Sequence, residues 1–382
     1  MQKFKSILKF LVYCLFDLFI FFAKKLAILF FYLKNPTKKT QDEILVVVSG
    51  GMGDLILTSP FLRELRRNFR SNKIILVVKI RISENINIFT NCPYVDEIIP
   101  YKNPRNRVFS LFLFVYKNIW KRNILYAFGL VSTDIFVKII AETSKAQKVF
   151  RSFNYWPIKE TEKPKHIVEK NLDLLSAANG DIINDNLEVW PSRNKSKYLQ
   201  NLTEHEEKKI ILGICAGEEK RIWPIENYLS LCSKILQNYK VNFIVLGDDK
   251  SKEKGVRFKE KFGENIFDLT DKTGISDLYQ VIKDAILYVG SDTGLMHIAA
   301  ALKVPVVEIS CHPISGNRND SNSPELFGPW KTESIIIQPL KSILPCVYRC
   351  EKKYSHCIKQ VTVNEVYTET NKMLNIKNKN PF

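Results

Sequence analysis

Two kinds of hydrophobic run alternate along most of this chain. The first is short, nearly unbroken and rich in β-branched residues, at 43–48, 73–78, 209–214, 242–246, 285–289 and 305–309. Continuous apolar runs of this length predict strands covered on both faces, as in a parallel sheet. The second repeats every three or four positions. Phe61, Leu62, Leu65 and Phe69 form such a stripe after Ser59 and Pro60, where a proline at the first helical position favours a helix start. Helices are likewise predicted near 83–90 and at 166–175, 225–237, 251–261, 276–283 and 365–374, with short strands at 95–100 and 266–269. The aromatic stretch 111–120 and the stretch 125–140 follow the pattern less clearly, and 312–331 reads as a polar loop. Strand–helix alternation predicts doubly wound α/β domains with ligands at the carboxyl ends of the strands. A polar stretch at 184–197 holding Pro191 divides the chain into a domain at 43–190 and a second at 200–360. A closing helix and tail follow at 361–382.

Residues 1–34 stand apart. An apolar run at 10–23 is broken only by Asp17; Lys24 and Lys25 follow, then a second apolar run at 26–33. No small-residue cleavage site follows the run, and it is short for a bilayer span. At helical periodicity Lys5, Lys9, Tyr13, Asp17 and Lys24 share one side. That pattern describes a hydrophobic, amphipathic helix lying in a membrane interface with lysines toward anionic head groups, with a true span or a buried core helix as the alternatives. A polar linker at 35–40 leads into the first strand.

Composition narrows this picture. With 382 residues, 45% hydrophobic and 25% charged, the chain is long enough for two ordinary domains and reads as globular. The formal charge of +17 favours phosphate-bearing or anionic-membrane partners. Nucleic acid is not expected, because no zinc finger, RNP-like motif or dense Arg/aromatic stripe is present. The 8 cysteines are mostly scattered singly through apolar segments, which suits reduced thiols in a cytosolic protein. Cys346, Cys350 and Cys357 with His356 could bind zinc, but their spacing matches no standard zinc pattern. They are read as buried or reactive thiols, and no metal is assigned.

Two stretches carry candidate chemistry. Residues 290–302 read G-S-D-T-G-L-M-H-I-A-A-A-L: a strand end, a small polar turn and a helix start. Unpaired backbone N–H groups and the positive end of the helix dipole meet there, a seat for a pyrophosphate. Asp292 or Thr293 can cap the helix, and Gly294 permits close approach of a ligand. Taken alone, this is also an ordinary capped strand–turn–helix. Residues 49–54, S-G-G-M-G-D, form a glycine loop ending in the Asp54 carboxylate.

Six stretches together resemble the family 9 glycosyltransferases, the group containing the ADP-heptose:lipopolysaccharide heptosyltransferases. They are G-G-M-G-D-L-I-L-T-S-P at 50–60, Y-V-D-E-I-I-P-Y at 94–101, H-I-V-E-K-N-L-D-L-L at 166–175, K-R-I-W-P at 220–224, the stretch at 290–302, and the cysteine-bearing tail at 345–357. The resemblance implies a GT-B fold, two Rossmann-like domains facing a cleft. It also implies metal-independent, inverting transfer from a nucleotide-diphospho-sugar. The N-terminal hydrophobic helix lies outside the usual family pattern.

On this resemblance Asp54 is the base that takes the acceptor hydroxyl proton, the alternative being a helix-capping role. Gly51 and Gly53 let substrate approach the backbone or serve as turn glycines. Arg221 occupies the place where the family usually has Lys, and with the adjacent Lys220 it would neutralise the leaving diphosphate. Asp292, Thr293, Gly294 and Leu295 would receive that diphosphate through backbone N–H groups. His297 reaches a phosphate or the donor sugar, or is a satisfied structural histidine. Asp249 matches the acid on the nucleotide ribose, in a Gly-Asp-Asp-Lys loop whose register is ambiguous. Trp223 reads as packing. The expected activity moves a sugar, heptose from ADP-heptose, onto lipopolysaccharide core or a related lipid-linked saccharide at the cytoplasmic face of the inner membrane, without a cofactor. The rivals are a GT-B transferase using another nucleotide sugar, such as a nucleotide-linked N-acetylhexosamine, and a non-catalytic sugar-nucleotide-binding protein. The presence of Asp54 argues against the second.

Overall fold

The computed structural model describes residues 42–79, 83–102, 108–130, 134–151, 163–191, 196, 198, 202 and 205–379. The amphipathic helix expected at 1–34 lies outside them. The apolar runs become two parallel sheets. In the first, β1 (Glu43–Ser49) lies between β2 (Lys73–Lys79) and β4 (Ile124–Gly129), flanked by β3 (Glu97–Tyr101) and β5 (Lys148–Arg151), in the order β3-β2-β1-β4-β5. Val46 sits opposite Leu76 on one side and Phe128 on the other, and all three are fully buried. This is why β1 reads as an unbroken apolar run: both of its faces are covered. The second sheet contains β6 (Lys208–Gly213), β7 (Val241–Leu246), β8 (Ile266–Asp268), β9 (Leu287–Ser291), β10 (Val306–Ile309) and β11 (Ser334–Ile337). Its order is β11-β10-β9-β6-β7-β8. In both sheets the strand order reverses beside the first strand, between β1 and β4 and between β6 and β9. Those switch points are where an open α/β sheet leaves a crevice at its carboxyl edge.

The helices cover these sheets. In the first half they are α1 (Met52–Ile56), α2 (Ser59–Asn68), α3 (Val108–Asn118), α4 (Ile135–Thr143) and α5 (Ile167–Ala177). In the second half they are α6 (Ile225–Leu236), α7 (Lys252–Phe262), α8 (Ile275–Lys283), α9 (Gly294–Ala301), α10 (Pro324–Phe327) and α11 (Val363–Lys379). The closing helix α11 packs on α6 and across β9, β10 and β11. One apolar cluster runs through both halves, from Val46 and Leu76 to Ile211, Ile244 and Tyr288. It passes through the contact of α1 with α9 and of the 3₁₀ helix Ser83–Phe89 with α8.

Several local readings change. The helix expected near 83–90 is a 3₁₀ turn. The aromatic stretch near 111–120 is the helix α3. The loop at 312–331 contains α10, whose first turn carries Pro324. Asp54 lies inside the short helix α1 instead of at a loop tip. Among the described residues no helix is long and apolar enough to cross a membrane.

Candidate active site

The carboxyl end of β1 turns abruptly through Gly50 and Gly51 into α1. The Asp54 carboxylate bends back so that its Oδ2 accepts a hydrogen bond from the Gly51 N–H at 2.7 Å. A side chain at Gly50 would collide with that carboxylate, so glycine is required there. The helix-capping role weighed for Asp54 is therefore present in the structure. It is compatible with a role as base, because one carboxylate oxygen remains free of this bond. Burial pushes the Asp54 carboxyl above the usual carboxylate range, opposed in turn by the Gly51 N–H and by His297.

His297 belongs to the other half of the chain. It lies in the first turns of α9, and the two helices cross through glycines. A Cβ on Gly53 would stand 2.5 Å from His297 Cδ2, and one on Gly294 would stand 2.6 Å from Met52 Cβ. In this structure the groups that approach Gly53 and Gly294 closely are thus His297 and Met52. Leu295 is buried in the core, with its backbone at the start of α9.

The turn between β9 and α9 places Thr293 at the N-cap position without a side-chain cap bond. Asp292 does not cap either. Its Oδ2 lies 3.1 Å from Arg221 Nη1 and its Oδ1 lies 3.7 Å from His297 Nε2. Burial would raise the Asp292 carboxyl, but His297 and Arg221 outweigh it and hold the group below its ordinary range. Arg221 also donates to the Asp292 carbonyl at 3.3 Å. Below the turn the Tyr288 hydroxyl, fully buried, donates to the Ser291 carbonyl at 3.1 Å and lies 3.4 Å from Thr293 Oγ1.

Arg221 stands in a 3₁₀ turn, Glu219–Arg221, at the end of the loop that leaves β6. Trp223 fixes the far end of that turn: it is fully buried and donates its indole N–H to the Val361 carbonyl at 2.9 Å. This is the packing role its sequence suggested. Lys220 turns to Glu218 instead, with Nζ 3.1 Å from Oε2. Of the two adjacent cations, Arg221 is the one that enters the cluster. Asp249 is exposed at the start of a 3₁₀ turn, and no contact joins it to the cluster. The neighbouring Asp248 is the carboxylate whose charge reaches Cys215 in the loop after β6.

One participant was not anticipated. Glu308 on β10 is 1% exposed, and burial, then Asp292, push its carboxyl well above the usual range. A lone carboxylate in an otherwise apolar strand was the available signal. Arg221 Nε, Ser291 Oγ, His297 Nδ1 and Glu308 Oε2 are all buried without a hydrogen-bond partner. Buried polar groups are usually paired with protein, ordered water or another ligand, so this cluster offers polar atoms able to meet such a partner. The groove lined by Tyr101, Lys102, Ser110, Leu113, Phe114 and Lys117 shares no residue with this cluster.

The family model described as glycosyltransferase family 9 (heptosyltransferase) matches residues 130–349. Lipooligosaccharide heptosyltransferase 2 of Haemophilus ducreyi is 26% identical over 48% of this chain, a match spanning about half of that protein's length, 53%. The protein of the same name from Campylobacter jejuni serotype O:6 is 23% identical over 84% of this chain and 96% of its own length. Among solved structures, ADP-heptose lps heptosyltransferase II of E. coli superposes with a TM-score of 0.63 at 17% identity, covering 88% of this chain and 99% of that one. At that identity the likeness shows the fold: two Rossmann-like α/β halves.

Proposed function

Because the chain belongs to glycosyltransferase family 9, the heptosyltransferases, we propose that it transfers heptose from ADP-heptose to the core of lipopolysaccharide or lipooligosaccharide. The observation that carries this reading is the junction of α1 with α9. There Asp54 from the first half meets His297 from the second, and the Arg221–Asp292 pair closes the same cluster. The first half, 43–190, serves the acceptor and the second, 200–360, the donor. The acceptor hydroxyl oxygen attacks the anomeric carbon from the face opposite the diphosphate. Its proton passes to Asp54 as the carbon–oxygen bond to the diphosphate breaks, and that electron pair leaves with ADP. Arg221 and the backbone N–H groups at the start of α9 stabilise the charge that grows on the diphosphate. The raised Asp54 carboxyl supports its role, since a base is most effective when its pKa lies toward the working pH. No step uses a metal.

Asp54→Asn tests this. Turnover with ADP-heptose and a lipid-linked core acceptor is expected to fall at least ~10²-fold, the contribution typical of a positioned base. ADP binding is expected to hold. In the wild type, kcat/KM should fall as pH drops through a carboxyl pKa above about 4, the ordinary value. Near-normal turnover by the variant at saturating substrate would remove Asp54 from this role.

The acceptor's anionic lipid places the reaction at a membrane surface, the cytoplasmic face of the inner membrane. The lysine-bearing amphipathic pattern of 1–34 and the +17 formal charge support this siting. Deleting 1–34 should shift the protein from the membrane pellet to the supernatant with its thermal unfolding unchanged. A truncated protein that stays in the pellet would count against an N-terminal anchor.

A further inference from the structure

Behind the Arg221 turn, the chain from 338 to 356 forms neither helix nor strand. It exposes the side chains an ordinary loop would use for packing: Leu344, Val347, Tyr348 and Tyr354 are all largely in solvent. What it and the following turn bury are thiols, with Cys346, Cys350 and Cys357 at 2%, 2% and 0% exposure. The Sγ atoms of these three and a ring nitrogen of His356 all lie within 4.8 Å of one another. Cys346 Sγ and Cys357 Sγ stand 3.7 and 3.5 Å from His356 Nδ1. Four ligands arranged tetrahedrally at zinc–sulfur and zinc–nitrogen bond lengths are separated by about 3.3–3.8 Å, so the two S–N distances already suit a common metal. The backbone N–H of Glu351 donates to Cys346 Sγ at 3.3 Å, the kind of outer contact that steadies a ligating thiolate. A disulfide would use two of these thiols and leave the third, together with His356, unexplained.

We propose that Cys346, Cys350, His356 and Cys357 bind one thiolate-seeking divalent cation, zinc by preference, in a closed four-ligand site. On binding, the thiols give up their protons to solvent and His356 ligates through Nδ1. With all four positions filled by protein, the ion has no open site for substrate, and its work is structural. It fastens the loop that holds the Arg221 turn. Ser355, beside His356, donates its hydroxyl to the Ile222 carbonyl at 2.7 Å and lies 3.2 Å from the Glu219 carbonyl. The consequence for Arg221 rests on the proposed donor site, whereas the metal site does not. The spacing alone argued against a metal here, because His356 and Cys357 are adjacent and the set fits no standard pattern.

The test uses the full chain, expressed with zinc in the medium and purified without a metal-binding tag. Elemental analysis should find about one zinc per chain, the content of a closed four-ligand site. Cys350→Ser and Cys357→Ser should each lose it, while His356→Cys, which keeps four ligands, should retain it. Replacing the ion by cobalt should give the strong visible absorption of tetrahedral thiolate-bound Co(II). This readout on the wild type stands even where a serine variant fails to fold. Metal-free wild-type protein with a disulfide among these cysteines, or zinc content unchanged by both serine variants, would overturn the site. ADP affinity should fall several-fold when the ion is removed. If zinc binds as described and ADP affinity does not change, the positioning of Arg221 fails and the metal site stands. If metal-replete protein does not bind ADP at all, the donor reading fails independently.

Discussion

Arg221 is held by the carboxylate and the carbonyl of a single residue, Asp292, and its Nε is buried without a partner. A guanidinium can pivot between an internal carboxylate and an incoming diphosphate because its donors lie on more than one edge. Charge-assisted hydrogen bonds are worth ~1.5–3 kcal/mol each, so Arg221→Ala should weaken ADP binding by about 10- to 100-fold. It should also slow transfer, since leaving-group charge grows toward the transition state. Arg221→Lys should recover only part of this, keeping the charge and losing the fork. Calorimetric titration with ADP decides it: an affinity that ignores Arg221 but follows Lys220→Ala would move the role to the neighbour. Both cations were legible in K-R-I-W-P, but not which of them turns inward. That depends on Glu218, which draws Lys220 aside. Asp292 was legible as a polar turn residue. Its pairing with Arg221 was not, because a short acidic side chain at a helix start can turn to the backbone or away from it, and only the tertiary partner decides.

At the scale of elements, the site depends on how closely α1 and α9 pass. Gly53 and Gly294 each face a side chain of the opposite helix, His297 and Met52, at a distance no Cβ could share. Gly53→Ala should therefore push against His297, which is 3% exposed and has little room to yield. Overpacking of this kind costs typically about 1–3 kcal/mol, and the displacement would shift Asp54 relative to Arg221. Urea unfolding should show the loss of stability, and transfer activity should fall by more than the stability change explains. A variant with wild-type stability and activity would show that the helices separate freely. The glycines were visible in the sequence as turn or substrate-approach residues, but their use as a crossing point was not, since periodicity within one segment carries no information about its partner. The long core strands were legible because burial on both faces leaves an unbroken apolar run. The edge strands β5 and β11 were not: they have 4 residues each, are partly exposed, and offer too little pattern to separate from loop.

Across the whole molecule the two halves are joined at a second place, remote from the crossing helices in sequence. His166, the N-cap of α5, stacks on Trp330 with ring centroids 4.4 Å apart. Trp330 in turn donates to the Asp185 carbonyl at 2.7 Å, in the crossover between halves. The Nδ1 of His166 accepts from the Val168 N–H at 3.2 Å, so the Nε2 hydrogen must point to the Gly328 carbonyl at 3.2 Å, and the ring is neutral. Burial drives its pKa from 6.5 down to about 4, with the Gly328 contact opposing and His297 adding to the shift. The sign follows from proton counts. Between these values the unfolded chain binds a proton that the native state refuses, so stability is intact above pH 6.5 and is lost as pH falls toward 4. At about 1.4 kcal/mol per pKa unit, the loss from this one group is about 2 kcal/mol by about pH 5. His166→Asn keeps a good N-cap acceptor and removes the titration. Urea unfolding at pH 7 and pH 5 should therefore show a smaller pH-dependent loss in the variant than in the wild type, by about that amount. Equal losses in the two proteins would mean that His166 takes up its proton in the folded state without cost, and that the stack on Trp330 does not hold the halves together as a neutral contact.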